Sequence, residues 1–298
     1  MRKFYLSVGI LSLLLLALAT AVTGVFDGIS GKTEDQPKQF TFVVFGDNRP
    51  NRPDLAQPET FKKILRKIDA LNPAFAVSTG DCIYGSPVES RMLEQYKDYT
   101  ETIGSLLKAK VYLALGNHEI LGSTANQEFF ANELGALYYS FDYGDSHFIV
   151  LDSDVVGQAG RIIGDQLEWL KEDLKKSRAA RHKFVFLHRP LYPVDGHKGR
   201  SLDKYPEDRN ALHHLFARNR ITAVFVGHEH LYDEQVNNGV RYIITGGGGA
   251  FLYPSIHGTG DFYHFVVVSV TGDEAQMKVV KLAQGGKPEE IIPIGEAR

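Results

Sequence analysis

The chain has 298 residues, 43% hydrophobic and 23% charged, a composition that excludes wholesale disorder and collagen-like or coiled-coil architecture. Its 33 basic and 36 acidic side chains give a net charge of −3, so no basic excess exists to drive nucleic-acid binding. A single cysteine excludes an internal disulfide framework and a cysteine-built zinc site. Any metal must therefore be held by His, Asp, Glu, Asn or Tyr.

Arg2 and Lys3 precede an uncharged run from Phe4 to Phe26, with an apolar block at Leu11 and Leu13 to Leu16. Ala19-Thr20-Ala21 fits a small-x-small cleavage site. Residues 1–26 read as a signal peptide, or as an N-terminal membrane anchor, since the run is long enough to span a bilayer. Both readings export the remainder, which places the protein in the periplasm, outside the cell, or on a membrane facing outward. Residues 27–39 are polar, hold Gly28, Gly31 and Pro37, and read as a tether. No long Pro- or Ser-rich linker divides residues 40–298, which read as one domain.

Within that domain a unit recurs. Phe40 to Phe45 runs into Gly46-Asp47, and Ala74 to Val77 leads to Gly80-Asp81. Val111 to Leu115 ends at Gly116-Asn117, Phe184 to Leu187 at His188, and Ala223 to Val226 at Gly227-His228. Each is a short, nearly continuous apolar run, the pattern of a strand buried on both faces. Helical periodicity lies between them at Pro58 to Leu71, Met92 to Leu107, Gln166 to Lys176 and Pro206 to Asn219. Alternating strands and helices predict an α/β domain. Tyr138 to Asp152 predicts a hairpin, and Val240 to Thr245, Phe262 to Val270 and Ala275 to Leu282 predict further strands. These suggest a second, largely antiparallel sheet packed on the first.

Five strands thus end in a residue able to bind a metal. In α/β sheets, loops converge outside the carboxyl ends of strands, so separate segments can build one site. Gly227-His228-Glu229-His230 adds two imidazoles at i and i+2 in one extended segment. Two ions about 3.5–4 Å apart clamp a phosphoryl group and acidify a bound water. A carboxylate bridging them, with imidazoles and an amide oxygen around it, keeps the site positive enough for a phosphate dianion.

GDNR at 46–49, GDCIY at 80–84, GNHE at 116–119, VFLH at 185–188 and GHEH at 227–230 resemble, in order, the five blocks of the calcineurin-like metallophosphoesterases. The resemblance implies two facing mixed β-sheets flanked by helices, an α/β/β/α sandwich. In that superfamily the first block commonly carries a His where this chain has Arg49. Tyr84, three residues after Asp81, matches the Gly-Asp-x-x-Tyr pattern of the purple acid phosphatase branch, in which a Tyr phenolate binds Fe(III) and the first-block His is absent. That branch usually has Gly at the position of Arg49.

Carried over, the resemblance implies that one metal takes Asp47, Tyr84 and His230, that Asp81 bridges, and that a second metal takes Asn117, His188 and His228. The pair would be Fe(III) with divalent Fe, Zn or Mn. If Tyr84 only packs behind Asp81, a Mn or Zn pair is expected. His118 would contact the phosphate or protonate the leaving group. Arg49 would grip a phosphate oxygen, or else serve as a structural ion pair. His197 lies near where the branch carries another substrate-facing His. The implied reaction is phosphomonoester hydrolysis by attack of a metal-bound hydroxide on phosphorus. Two other readings stand beside it. One is a phosphodiesterase or pyrophosphatase on the same site, including lipid-headgroup hydrolysis if the anchor is retained. The other is a non-catalytic phosphate-binding protein on the same fold. The substrate would be a small phosphate ester. Gly246 to Gly249 reads equally as an anion cradle or as close packing. Asp152, Asp154 and His147 read as structural.

Overall fold

The structure is a computed structural model that describes residues 37–194, 196–253, 260–283, 285 and 289–295. The predicted leader over 1–26 and most of the tether lie outside the described residues, as does His257. No helix among the described residues is long and apolar enough to cross a membrane.

Two six-stranded sheets face each other. The first contains β1 (Gln39–Phe45), β2 (Phe75–Ser78), β3 (Lys110–Leu113), β10 (His264–Thr271), β11 (Glu274–Lys281) and β12 (Glu290–Ile294), in the order β12-β11-β10-β1-β2-β3. β1, β2 and β3 are parallel, and β10 runs antiparallel to β1. The second contains β4 (Tyr139–Tyr143), β5 (Ser146–Val150), β6 (His182–Phe186), β7 (Ala223–Val226), β8 (Tyr232–Asn237) and β9 (Val240–Thr245). Its order is β4-β5-β6-β7-β9-β8, with a parallel centre of β5, β6, β7 and β9 and antiparallel edges.

The sandwich expected from the sequence is present, but its strands are distributed differently. The predicted strands at 262–270 and 275–282 do not form a sheet of their own; they join the first sheet beside β1. The five strands that end in ligand-type residues divide between the sheets, three in the first and two in the second. Burial on both faces erases the polar alternation that would assign a strand to its sheet.

β1 shows why its sequence is a continuous apolar run. Phe42 and Val44 face the other sheet, packing with Phe148, Phe184 and Phe225. Val43 and Phe45 face the opposite way, toward helix α1 (Glu59–Ala70) and helix α2 (Glu89–Leu106). α1 covers them with Phe61, Ile64, Leu65 and Ile68, all fully buried and spaced on one helical face. Two short helices follow, α3 (Asn117–Ile120) and α4 (Thr124–Glu133). α5 (Gly164–Lys176) and α6 (Pro206–Arg218) cover the outer face of the second sheet with Leu170, Leu174, Leu212 and Phe216. The sequence pattern missed α4, β8 and β12, each of which lacks a strong apolar period.

His147 is structural. Its Nδ1 lies 2.7 Å from Asp142 and its Nε2 2.8 Å from Asp173. Burial alone would lower its pKa, but the two carboxylates outweigh it and raise the value to about 9. The folded value thus exceeds the unfolded one of about 6.5, so the contribution is complete below about pH 6.5 and lost as pH rises through 9. Urea unfolding at pH 6.5 and at pH 9.5 is expected to differ by about 2 kcal/mol, after allowance for screening at the half-exposed Asp142. His147→Asn is expected to remove most of that difference; an unchanged difference would assign it to other groups.

Candidate metal centre

The chemistry gathers where β1, β2 and β3 of one sheet and β6 and β7 of the other end together. Backbone hydrogen bonds tie the first loop to the second and the fourth to the fifth. Asp47 N–H donates to Gly80 O at 2.9 Å, Arg49 N–H to Asp81 O at 3.0 Å, and Gly227 N–H to His188 O at 2.9 Å. Asp47, Asp81 and His228 each hold a positive φ, at 55°, 53° and 70°. Such backbone costs about 1–3 kcal/mol per residue in non-glycine positions and is characteristic of functional sites. The turns aim all three side chains into the same space.

The donor atoms converge. One atom each from Asp47, Asp81 and His188 lies within 4.8 Å of the others, and all three residues are buried. His188 Nδ1 donates to the Thr79 carbonyl at 3.0 Å, so its Nε2 carries a lone pair. That lone pair faces Asn117 Oδ1 at 3.1 Å, His228 Nδ1 at 3.1 Å and Asp81 Oδ1 at 3.4 Å. His230 Nδ1 is taken by the Phe251 carbonyl at 2.6 Å, which turns Nε2 toward Asp47 Oδ1 at 3.4 Å. Asp47 also accepts from the His228 N–H through both oxygens, at 3.1 and 3.0 Å. Oxygen and nitrogen lone pairs brought this close, in a buried setting, match the donor set of a cation site.

The electrostatics agree with that reading. Burial would raise the Asp81 carboxyl, yet His188, His118 and Arg49 beside it bring it down to about 2. His188 moves the other way, because Asp81, Asp47 and Asp154 outweigh its burial and raise its value. His228 is held neutral by burial and by the positive charge of its neighbours. Burial and His230 lower His197 to about 4. The carboxylates thus attract positive charge while two of the imidazoles stay unprotonated.

Every sequence-derived site residue lies in or beside this cluster. His118 donates through Nδ1 to the Tyr84 carbonyl at 2.6 Å and directs Nε2 to within 3.9 Å of Asp81 Oδ2. Its backbone N–H donates to Asp81 Oδ1 at 3.0 Å. Arg49 Nε is 3.5 Å from Asp81 Oδ2, and its guanidinium lies 5.7 Å from the centre of the Tyr84 ring. The Tyr84 ring packs against His118 at 5.6 Å. The His197 ring is 4.1 Å from that of His228.

Sequence reasoning missed the supports. Glu119, buried in the GNHE block, accepts four backbone N–H groups, from Gly116, Asp81, Cys82 and Ile83. Glu229, buried in the GHEH block, accepts from Val194 N–H at 2.8 Å and His197 N–H at 3.4 Å. Arg189 pairs with Asp154 through Nε and Nη2, at 2.8 and 2.7 Å. Its Nη1 reaches the Arg200 carbonyl at 2.6 Å and lies 3.1 Å from His228 Nε2, holding that ring by its outer edge. The available signal was an acid next to a ligand-type His in both blocks and a base directly after His188.

Known proteins resemble this chain in sequence and in fold. The calcineurin-like phosphoesterase family matches residues 40–232. The human serine/threonine-protein phosphatase CPPED1 is 27% identical over 210 residues, covering 66% of this chain and 67% of that protein. Human tartrate-resistant acid phosphatase type 5 is 27% identical over 250 residues, covering 72% and 74%. In fold, the chain resembles the purple acid phosphatase PPD1 of yellow lupin, with a TM-score of 0.70 and 20% identity over 90% of this chain and 55% of that one. With the family match spanning most of the domain and the ligand-type residues gathered at the strand ends, the chain belongs to the calcineurin-like phosphoesterases and is a metal-dependent phosphoric ester hydrolase.

Proposed function

We propose that the protein is an exported phosphatase that hydrolyses phosphomonoesters at a dinuclear centre of the purple acid phosphatase kind. One observation carries the choice of substrate class. Arg49 and His118 lie against the same buried carboxylate, at 3.5 and 3.9 Å, so two basic groups border the donor cluster. A phosphate monoester carries two negative charges at neutral pH and gains most from that field.

Asp47, Tyr84 and His230 would hold one ion, Asn117, His188 and His228 the other, and Asp81 both. When bound, the ions polarise the phosphoryl oxygens and lower the pKa of a water. Arg49 contributes a planar donor fork for a phosphate oxygen. His118 donates through Nδ1 to the Tyr84 carbonyl, so in its imidazolium form it would give the Nε2 proton to the leaving oxygen as the ester P–O bond breaks, and become the neutral Nδ1–H imidazole. Glu229 holds the loop that carries His197 against the centre. Export rests on residues 1–26, and the N-terminal sequence of the mature protein tests whether they are removed.

Metal content and the visible spectrum of chelator-free protein test the centre. About two ions per chain, with iron and a broad visible band that disappears in Tyr84→Phe, are expected. Two ions without such a band would remove Tyr84 from the coordination sphere and favour a Mn or Zn pair. Parallel assays on a monoester and its diester decide the substrate class. Turnover of the diester alone would overturn the monoester reading. Phosphate-analogue binding without turnover of either ester, in metal-replete protein, would favour the binding protein.

A further inference from the structure

We propose that the end of the sandwich where the chain enters β1 is a basic docking face for an anionic lipid bilayer, and that it turns the metal centre away from the membrane. This docking rests on the membrane-inserting reading of residues 4–26 and not on the phosphomonoester reading.

The chain enters at a defined place. Lys38 O accepts from Gly272 N–H at 3.3 Å, which sets the entry beside the turn between β10 and β11. His182 Nε2 donates to Gly272 O at 3.0 Å and Arg181 N–H to Asp145 O at 2.8 Å. The start of β6 and the turn between β4 and β5 therefore belong to the same end. The donor cluster lies past the last residues of β1, β2, β3, β6 and β7, at the other end. Lys38 and Asp47 are nine positions apart, about 30 Å of extended chain. The apolar run thus joins the sandwich at the end opposite its chemistry.

That end is basic. α5 finishes with Lys175 and Lys176 and is followed by Arg178, and α6 finishes with Arg218 and is followed by Arg220. Lys38, Lys176, Arg178, Arg218 and Arg220 are exposed, and none of them forms an ion pair with another described residue. Burial and the nearby Arg220 charge lower the Lys183 amine. Acids at this end are already engaged, Asp69 with Lys108, Asp145 and Asp273 with Arg181, and Glu274 with Gln276. A helix C-terminus favours a basic residue in its last turn, which accounts for Lys176 and Arg218. Lys38, Arg178 and Arg220 lie outside any helix and have no such local reason.

The opposite end has the reverse sign at its helix starts. Glu59, Glu89, Asp165 and Glu207 occupy the first turns of α1, α2, α5 and α6. An anionic surface attracts the first end and repels the second. The apolar run that leads into the basic end makes a bilayer, rather than another polyanion, its partner. Residues 27–36 reach at most about 36 Å when fully extended. Turning the centre to the membrane would use nearly all of that to run back along the roughly 30 Å from Lys38 to Asp47. Docked on its basic end, the protein opens its centre to water, where soluble phosphate esters reach it and the headgroups of its own membrane do not.

The test is lysine acetylation read by mass spectrometry, on the full chain added to preformed vesicles and isolated with them by flotation. Phosphatidylcholine vesicles holding about one-third phosphatidylglycerol are compared with phosphatidylcholine alone. Lys38 and Lys176 are expected to label about fivefold more slowly in the anionic vesicles. Lys198, exposed beside His197, is expected to label equally in both. Salt at about 0.5 M is expected to abolish the protection of Lys176. So is the combined variant Arg178→Glu, Arg218→Glu and Arg220→Glu, which should still hydrolyse a soluble phosphomonoester within about twofold of wild type. Equal labelling of Lys38 and Lys176 in the two vesicles, protection of Lys198 instead, or protection that survives in the variant overturns the proposal. A chain that does not float with either vesicle overturns it too, by removing the membrane-inserting reading. Lost protection with hydrolysis retained removes the docking face and leaves the phosphatase. The expected protection in a chain that hydrolyses no ester does the reverse.

Discussion

Asp81→Asn is expected to lower kcat/KM for a phosphomonoester by on the order of 10³-fold and to release at least one ion from the chain. The substitution keeps the size of the side chain and one carbonyl oxygen, so the hydrogen bond from His118 N–H can survive. What it removes is the negative charge. Asp81 is the point where His188 Nε2, His118 and Arg49 meet, at 3.4, 3.9 and 3.5 Å. A neutral amide there cannot balance those bases, and it is a poor bridge between the two cations of the proposed centre. Metal analysis and kinetics on the same preparation decide the matter, with thermal unfolding as the folding control. Wild-type activity with an unchanged metal content would place Asp81 outside the centre.

Glu119→Gln combines loss of stability with loss of activity. Four N–H groups converge on the Glu119 carboxylate, at 2.7 Å from Gly116, 3.0 Å from Asp81, 2.7 Å from Cys82 and 3.2 Å from Ile83. A glutamine amide turns an NH₂ toward donors and leaves buried N–H groups without an acceptor, at about 1–3 kcal/mol each. We expect a destabilisation of about 2–4 kcal/mol in urea. The Asp81 turn loses its brace, so kcat/KM is expected to fall about 10–100-fold, as for other residues that orient metal ligands. Glu119→Asp separates charge from reach: it keeps the carboxylate but shortens it, and should recover little of the loss. A variant as stable and active as wild type would show that the four hydrogen bonds brace nothing the centre needs.

The contrast between Asp81 and Glu119 shows what was legible in sequence. Asp81 follows a buried strand and a glycine, so its chemical role could be read from a handful of neighbouring residues. Glu119 sits two residues after Asn117 and is equally acidic, but three of its four partners come from a segment nearly forty positions earlier. The same holds for Asp154 and Arg189, which meet only when β5 and β6 lie side by side. Phe251 and Tyr253 read as ordinary residues after a glycine run until the chain brings them against His230.

The fold divides along the same line. Helices such as Glu59–Ala70 were readable because one face is apolar at helical spacing, and their ends fell within a few residues of expectation. The strands were readable as strands, but not as members of a particular sheet, because both faces of β1 and β6 are buried and carry no polar side to orient them.

The sequence by itself determined the chemistry of this protein. Five short strands, each ending in an oxygen or nitrogen donor, are local units whose composition excludes cysteine-based metal binding and matches the phosphoesterase blocks. Tertiary structure alone decided how three donors from one sheet and two from the other share one space. It also decided which charges brace them and which aromatic rings face solvent beside them. Those outcomes depend on register between strands far apart in the chain, and on burial that no local pattern encodes.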